Sequence, residues 1–128
     1  MNTIAEIVMW SSQPSPEAVI GIDEDGAVCM IEAVLDSDDR PYIIEIRSTP
    51  DGAHAVAYCR SNPWSESVNA GTTFGDAHVD SDGLLCLGKG STRVVQDSPF
   101  SLEFAIRRAR YWCTAFSVFK ETNTFPNL

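Results

Sequence analysis

Residues 78–88 read HVDSDGLLCLG. Cys86 stands behind the Asp82-Gly83 pair and eight residues after His78. A thiol and an imidazole at that separation can meet across a tight turn, where the ring serves the sulfur as base or hydrogen-bond donor. Asp-Gly makes such a turn because both residues tolerate positive φ. Leu84 and Leu85 would then anchor the segment in the core and hold Cys86 and Leu87 between core and solvent. Gly88 and Gly90 leave the following backbone unobstructed, which suits a bulky acyl group or a docked peptide. Asp76, Asp80 and Asp82 surround the thiol with negative charge, and carboxylates oppose its ionisation. That argues against a cysteine protease, whose thiolate is stabilised by a protonated histidine. It suits a thiol that receives an acyl group by exchange from a reactive donor.

The competing reading of LLCLG is a plain core segment, since cysteine is among the most buried residue types. For the other three cysteines packing is the expectation: Cys29 (AVCMIE) and Cys59 (AVAYCR) fall in expected strands, and Cys113 lies beside a helical apolar stripe. The four are spread about thirty residues apart with no C-x-x-C pair, and the chain has two histidines. A structural zinc site announces itself by close ligand pairs, so no metal is expected. The stretch GKGST (88–92) lacks the G-x-x-x-x-G-K-[ST] spacing of a phosphate-binding loop. No nucleotide or other cofactor is expected.

These residues belong to a chain of 128, the size of one domain, with 44% hydrophobic and 21% charged residues. A single domain over 1–128 is the expectation. With 9 basic against 18 acidic residues the net charge is -9, and the isoelectric point is near 4.4. A nucleic-acid binder needs clustered Lys and Arg to displace counterions from phosphates. Nucleic acid and anionic membrane surfaces are therefore poor partners. No stretch approaches the roughly 18 apolar residues of a membrane span. The opening MNTIAEIVMWSSQPSPE lacks the basic n-region of a signal peptide. A cytoplasmic protein with reduced thiols follows as the expectation.

The elements that must position the thiol are legible as runs and breaks. Ile4, Ile7 and Val8 recur at helical spacing and predict a short helix over 2–10, ended by the prolines of SSQPSP. Apolar runs then cover 18–22, 27–35, 42–47 and 53–60, divided by clusters rich in Asp and Gly. Such turn chemistry between β-branched runs predicts a four-stranded antiparallel meander. In YIIEIR, Tyr42, Ile44 and Ile46 share one face, and Ile43, Glu45 and Arg47 the other. Residues 61–97 show no sustained period, and a long irregular segment inside a small domain is usually functional. Ser98 and Pro99 read as N-cap and first position of a closing helix. Its stripe is Leu102, Ala105, Ala109, Trp112, Phe116 and Phe119. Trp10 and Trp64 are expected to pack in the core or pin a loop, the alternative being exposed anchors for a partner. The fold class is α+β: a meander, a long active-site loop and a packed C-terminal helix.

This order resembles the ubiquitin-conjugating enzyme fold. In that family the active-site cysteine follows an Asn/Asp-Gly turn in the pattern dG-x-I-C-L, which Asp82-Gly83-Leu84-Leu85-Cys86-Leu87 fits. A Ser-Pro before the next helix is also usual there, and Ser98-Pro99 is similar, with a slightly longer gap. The family's His-Pro-Asn tripeptide becomes Asp76-Ala77-His78, with His78 on the position of the Asn that stabilises the oxyanion or orders the loop. The same replacement, and the ending FSVFKETNTFPNL after Trp112, resemble the divergent bacterial branch found beside ubiquitin-like conjugation systems, several linked to phage defence. The resemblance implies a transthiolation. Cys86 takes a ubiquitin-like protein from an activating enzyme as a thioester, His78 stabilises the tetrahedral intermediate, and an amine of a protein substrate accepts the acyl group. Asp76, Asp82, Gly83 and Leu87 border the thiol and are expected to contact the substrate. The alternatives are a catalytically inactive scaffold or binding module of the same fold, and an unrelated α+β protein whose acidity serves a basic partner.

Overall fold

The computed structural model describes residues 19–22, 27–64, 77–80 and 82–126. The expected helix over 2–10, Trp10 and Asp76 lie outside the described residues. Four strands follow one another, β1 (Val19–Ile22), β2 (Val28–Leu35), β3 (Pro41–Ser48) and β4 (Ala55–Ser61). They form one antiparallel sheet in the order β1-β2-β3-β4. The meander is as the apolar runs and Asp/Gly breaks predict. Val28 pairs with Ser48 and Leu35 with Pro41, so β2 and β3 match along their whole length. The register shifts by one residue between Ile43 and Ile44 where β4 joins.

Alternation along the strands decides which face is covered. Tyr42, Ile44 and Ile46 are buried, together with Val28 and Met30 on β2 and Ala55, Ala57 and Cys59 on β4. Helix α1 (Leu102–Thr122) lies on this face and buries Leu102, Ala105, Ile106, Ala109, Trp112, Cys113 and Phe116. Tyr42 is edge-on to both Trp112 (5.9 Å) and Phe116 (6.4 Å), the geometry that places the positive ring edge on the negative ring face.

The helix begins later than the Ser-Pro signal suggests. Ser101 is the N-cap, its hydroxyl accepting from the Phe104 amide. Ser98 instead donates its hydroxyl to the Ala55 carbonyl at 2.6 Å and accepts from the Phe100 amide. It is committed to the start of β4, after a single 3-10 turn at Val95–Asp97. Pro99 therefore precedes the helix rather than opening it.

A chain of polar contacts runs through the sheet–helix interface. Ser117 Oγ donates to Asp36 at 2.5 Å and so accepts the Tyr42 hydroxyl at 2.6 Å. Asp36 also accepts from the Asp38 and Arg40 amides and from Arg40 Nε. Buried Glu32 meets Arg110 of the helix at 2.6 Å. Arg40 covers the Trp64 ring at 4.6 Å, and Trp64 packs against the core. On the opposite face of the sheet Val19, Ile31 and Leu35 are exposed, and Glu45 is held between Arg47 and Arg60. Among the described residues no helix is long and apolar enough to cross a membrane.

Candidate functional site

The segment carrying Cys86 is a tight hairpin added to the outer edge of the sheet. Gly83 donates its amide to the Asp80 carbonyl at 3.1 Å, closing the turn. Val79 then pairs with Leu85, and the Cys86 amide donates to the His78 carbonyl at 2.9 Å. The hairpin continues the sheet through Tyr58 and Leu84: the Cys59 amide donates to Gly83 and the Leu85 amide to Ala57. From the helix side, Trp112 Nε1 donates to the Ala77 carbonyl at 2.9 Å. Val79, Leu84 and Leu85 are almost wholly buried, which is the anchoring that Leu84-Leu85 predicts.

Gly83 owes its identity to this contact. Its φ is +88°, and a Cβ there would fall 2.4 Å from the Cys59 carbonyl oxygen, inside any tolerable contact. Asp80 holds the same turn from within. It is 1% exposed, and its Oδ1 accepts from the Asp82 and Leu84 amides at 2.8 and 3.0 Å. Arg93 reaches Asp80 Oδ2 at 2.5 Å and also pairs with exposed Asp82. The acidity expected around the thiol is thus met by a guanidinium, and Asp80 serves the fold rather than the surface.

Cys86 is half-buried while its neighbours are not: Leu85 and Leu87 are 1% and 3% exposed. Leu87 is therefore a core residue, which corrects its expected place between core and solvent. A side chain at that depth is held by the core cluster, and the surface retains only its backbone, whose carbonyl accepts from Arg108 Nε at 3.3 Å. The thiol points back over the next turn, donating to the Gly88 carbonyl at 3.7 Å. That turn, Gly88 to Ser91, is closed by the Ser91 amide and allowed by φ of +89° at Gly90. Ser91 Oγ accepts from the Leu87 amide (3.0 Å), donates to the Gly88 carbonyl (2.8 Å) and stands 4.0 Å from Cys86 Sγ.

His78 sits opposite Cys86 in the hairpin, but in the left-handed region, with φ of 55°. Its ring lies against Phe125, centroids 4.5 Å apart and tilted by 41°. The chain reverses after α1 at Asn123, also left-handed, to bring Phe125 there. Among the described residues no hydrogen bond joins the imidazole to the sulfur. The backbone brings the pair together; the ring is turned to an aromatic neighbour.

The remaining cysteines differ from Cys86 in depth. Burial pushes the Cys59 thiol up to about 12 and the Cys113 thiol higher still. Cys29 is half-buried and projects from the sheet face away from α1, opposite Arg47. Among the described residues no three of His, Cys, Asp and Glu converge as metal ligands.

Four residues of the site were not singled out by residue type alone: Ser91, Arg93, Arg108 and Phe125. The signal for the first two was available, since GKGSTR places a hydroxyl and a cation directly behind the cysteine between turn glycines. The others arrive through the helix and its C-terminal reversal. Comparison with protein-family models, with curated proteins and with solved structures finds no match.

Proposed function

We propose that the chain is a ubiquitin-conjugating-like acyltransferase in which Cys86 is the nucleophile. It accepts a ubiquitin-like protein from the thioester of an activating enzyme and passes it to an amine of a protein substrate. The observation that carries this reading is the half-buried thiol of Cys86, held at the rim of a hairpin whose flanking side chains are locked into the core. Anchoring of that kind keeps a nucleophile in one place while leaving one side open to a large carbonyl-bearing partner. The resemblance of Asp82-Gly83-Leu84-Leu85-Cys86-Leu87 and Ser98-Pro99 to the conjugating-enzyme pattern supports the assignment of substrate class.

The test is loading. Wild-type protein incubated with an activating enzyme, ATP and a ubiquitin-like protein is expected to form an adduct that reductant removes. Cys86→Ser is expected to form an ester that resists reductant, and Cys86→Ala none. Absence of any reductant-sensitive adduct on wild type would reject the proposal.

One observation favours a second reading, a non-catalytic scaffold of the same kind. The imidazole packs on Phe125 instead of bonding to Cys86. Under that reading the chain binds the modifier or its carrier without a covalent step, and Cys86→Ala binds as tightly as wild type.

A further inference from the structure

We infer that Ser91 supplies the hydrogen-bond donor to the oxyanion formed at Cys86. This deepens the acyl-transfer reading above and rests on it. Ser91 Oγ is 4.0 Å from Cys86 Sγ. Its position is fixed, because the oxygen accepts from the Leu87 amide at 3.0 Å. Its proton has an alternative acceptor in the Gly88 carbonyl at 2.8 Å, so the hydroxyl can rotate between that carbonyl and the sulfur without moving the oxygen.

The distances suit the reacting atoms. When the sulfur bonds to a carbonyl carbon, the carbonyl oxygen lies two bonds from the sulfur, and an oxyanion donor works at about 3 Å from that oxygen. A hydroxyl 4.0 Å from Sγ closes such a triangle. His78, the residue whose type and position suggested the role, has its ring on Phe125.

The Cys86 thiol loses its proton to solvent, and the thiolate attacks the thioester carbon. A C–S bond forms and the carbonyl π pair moves to oxygen, where the Ser91 O–H donates to it. Collapse restores the carbonyl and expels the donor thiolate, which takes up a proton. In discharge a neutral amine attacks the Cys86 thioester and passes through a second oxyanion at the same place. The nitrogen gives its extra proton to solvent, and the Cys86 C–S bond breaks to release the thiolate.

Alkylation separates this role from a merely structural one, because the thiolate displaces iodide from the saturated carbon of iodoacetamide and forms no oxyanion. The full chain is treated with the phenyl thioester of N-acetylglycine, and acylation of Cys86 and its discharge to added lysine are followed by peptide mass spectrometry. Parallel samples are alkylated with iodoacetamide. Ser91→Ala is expected to slow acylation and discharge by about 10²-fold with Cys86 alkylation within about twofold of wild type. Ser91→Thr, which keeps the hydroxyl, is expected to restore most of the rate. If Ser91→Ala proves unfolded by circular dichroism, Ser91→Asp keeps an acceptor for the Leu87 amide without a donor, and its acylation rate relative to its alkylation rate is expected to show the same loss. Equal acyl-transfer rates in Ser91→Ala and wild type overturn the inference, and so do parallel losses in acylation and alkylation. Wild-type Cys86 that is alkylated but never acylated rejects the acyl-transfer reading, and this inference with it.

Discussion

The buried carboxylate of Asp80 and the guanidinium of Arg93 meet at 2.5 Å across thirteen residues of chain, with Cys86 between them in sequence. The same carboxylate caps the Asp82 and Leu84 amides with its other oxygen. One side chain therefore joins the turn before the cysteine to the segment after it. An ion pair with one partner buried contributes little net energy when intact but is expensive to break from one side.

Asp80→Ala is accordingly expected to destabilise the fold by about 2–4 kcal/mol, since the buried Leu84 amide and Arg93 both lose their acceptor. Asp80→Asn keeps a carbonyl for the amides and should cost about half as much. Urea unfolding measures both. Identical losses in the two variants would show that the amide caps contribute nothing.

Gly83→Ala places a methyl group 2.4 Å from the Cys59 carbonyl at a φ of +88°. The strain and the loss of the hairpin's seat on β4 are expected to lower the melting temperature by about 10 °C, corresponding to a few kcal/mol. A melting temperature within two or so degrees of wild type (about 0.5 kcal/mol) would mean that the hairpin separates from the sheet without consequence.

Acid should expose the Asp36 network. Burial pushes this carboxyl up, but the Ser117 hydroxyl, the Arg40 amide and guanidinium, and the Asp38 amide outweigh it and hold the group at about 2. Glu45 is lowered too, burial being outweighed by Arg47 and Arg60. A carboxyl lower in the folded than in the unfolded chain stabilises above its ordinary value of 3.8, and the contribution disappears as pH falls through about 2. Ser117→Ala removes a donor to the carboxylate, raises the carboxyl and shrinks that contribution. Its acid-unfolding midpoint, followed by circular dichroism, is expected at higher pH than wild type. An unchanged midpoint would exclude Ser117 as a stabiliser of the charged form.

Thiol labelling should rank the cysteines by depth. In native protein at neutral pH, Cys86 is expected to react with a maleimide at least about 10²-fold faster than Cys59 and Cys113, whose burial holds them as thiols. Denaturant should equalise the rates. Early labelling of Cys113 in native protein would mean that α1 detaches from the sheet.

The meander was legible in the sequence because its determinants are local. Asp/Gly clusters set the turns, and the alternation of Tyr42, Ile44 and Ile46 set the face that α1 covers. The helix stripe was legible for the same reason, from Leu102 through Phe116. The helix start was not: Ser98 has the right type for an N-cap, but its hydroxyl is taken by Ala55, forty-three residues away. Cys86 stood out from sequence by its Asp-Gly turn. Its half-buried setting depends on Leu87 turning into the core, which no local pattern announces.

What the residues by themselves determined is thus the set of elements, their order, and the thiol behind a tight turn, each specified by neighbours a few positions apart. What tertiary structure decided is which groups surround that thiol. Arg93 neutralises Asp80, Phe125 takes the His78 ring, and Ser91 stands beside the sulfur. Those contacts depend on how separate segments pack in three dimensions, where burial and hydrogen-bond satisfaction choose among partners that sequence proximity leaves equivalent.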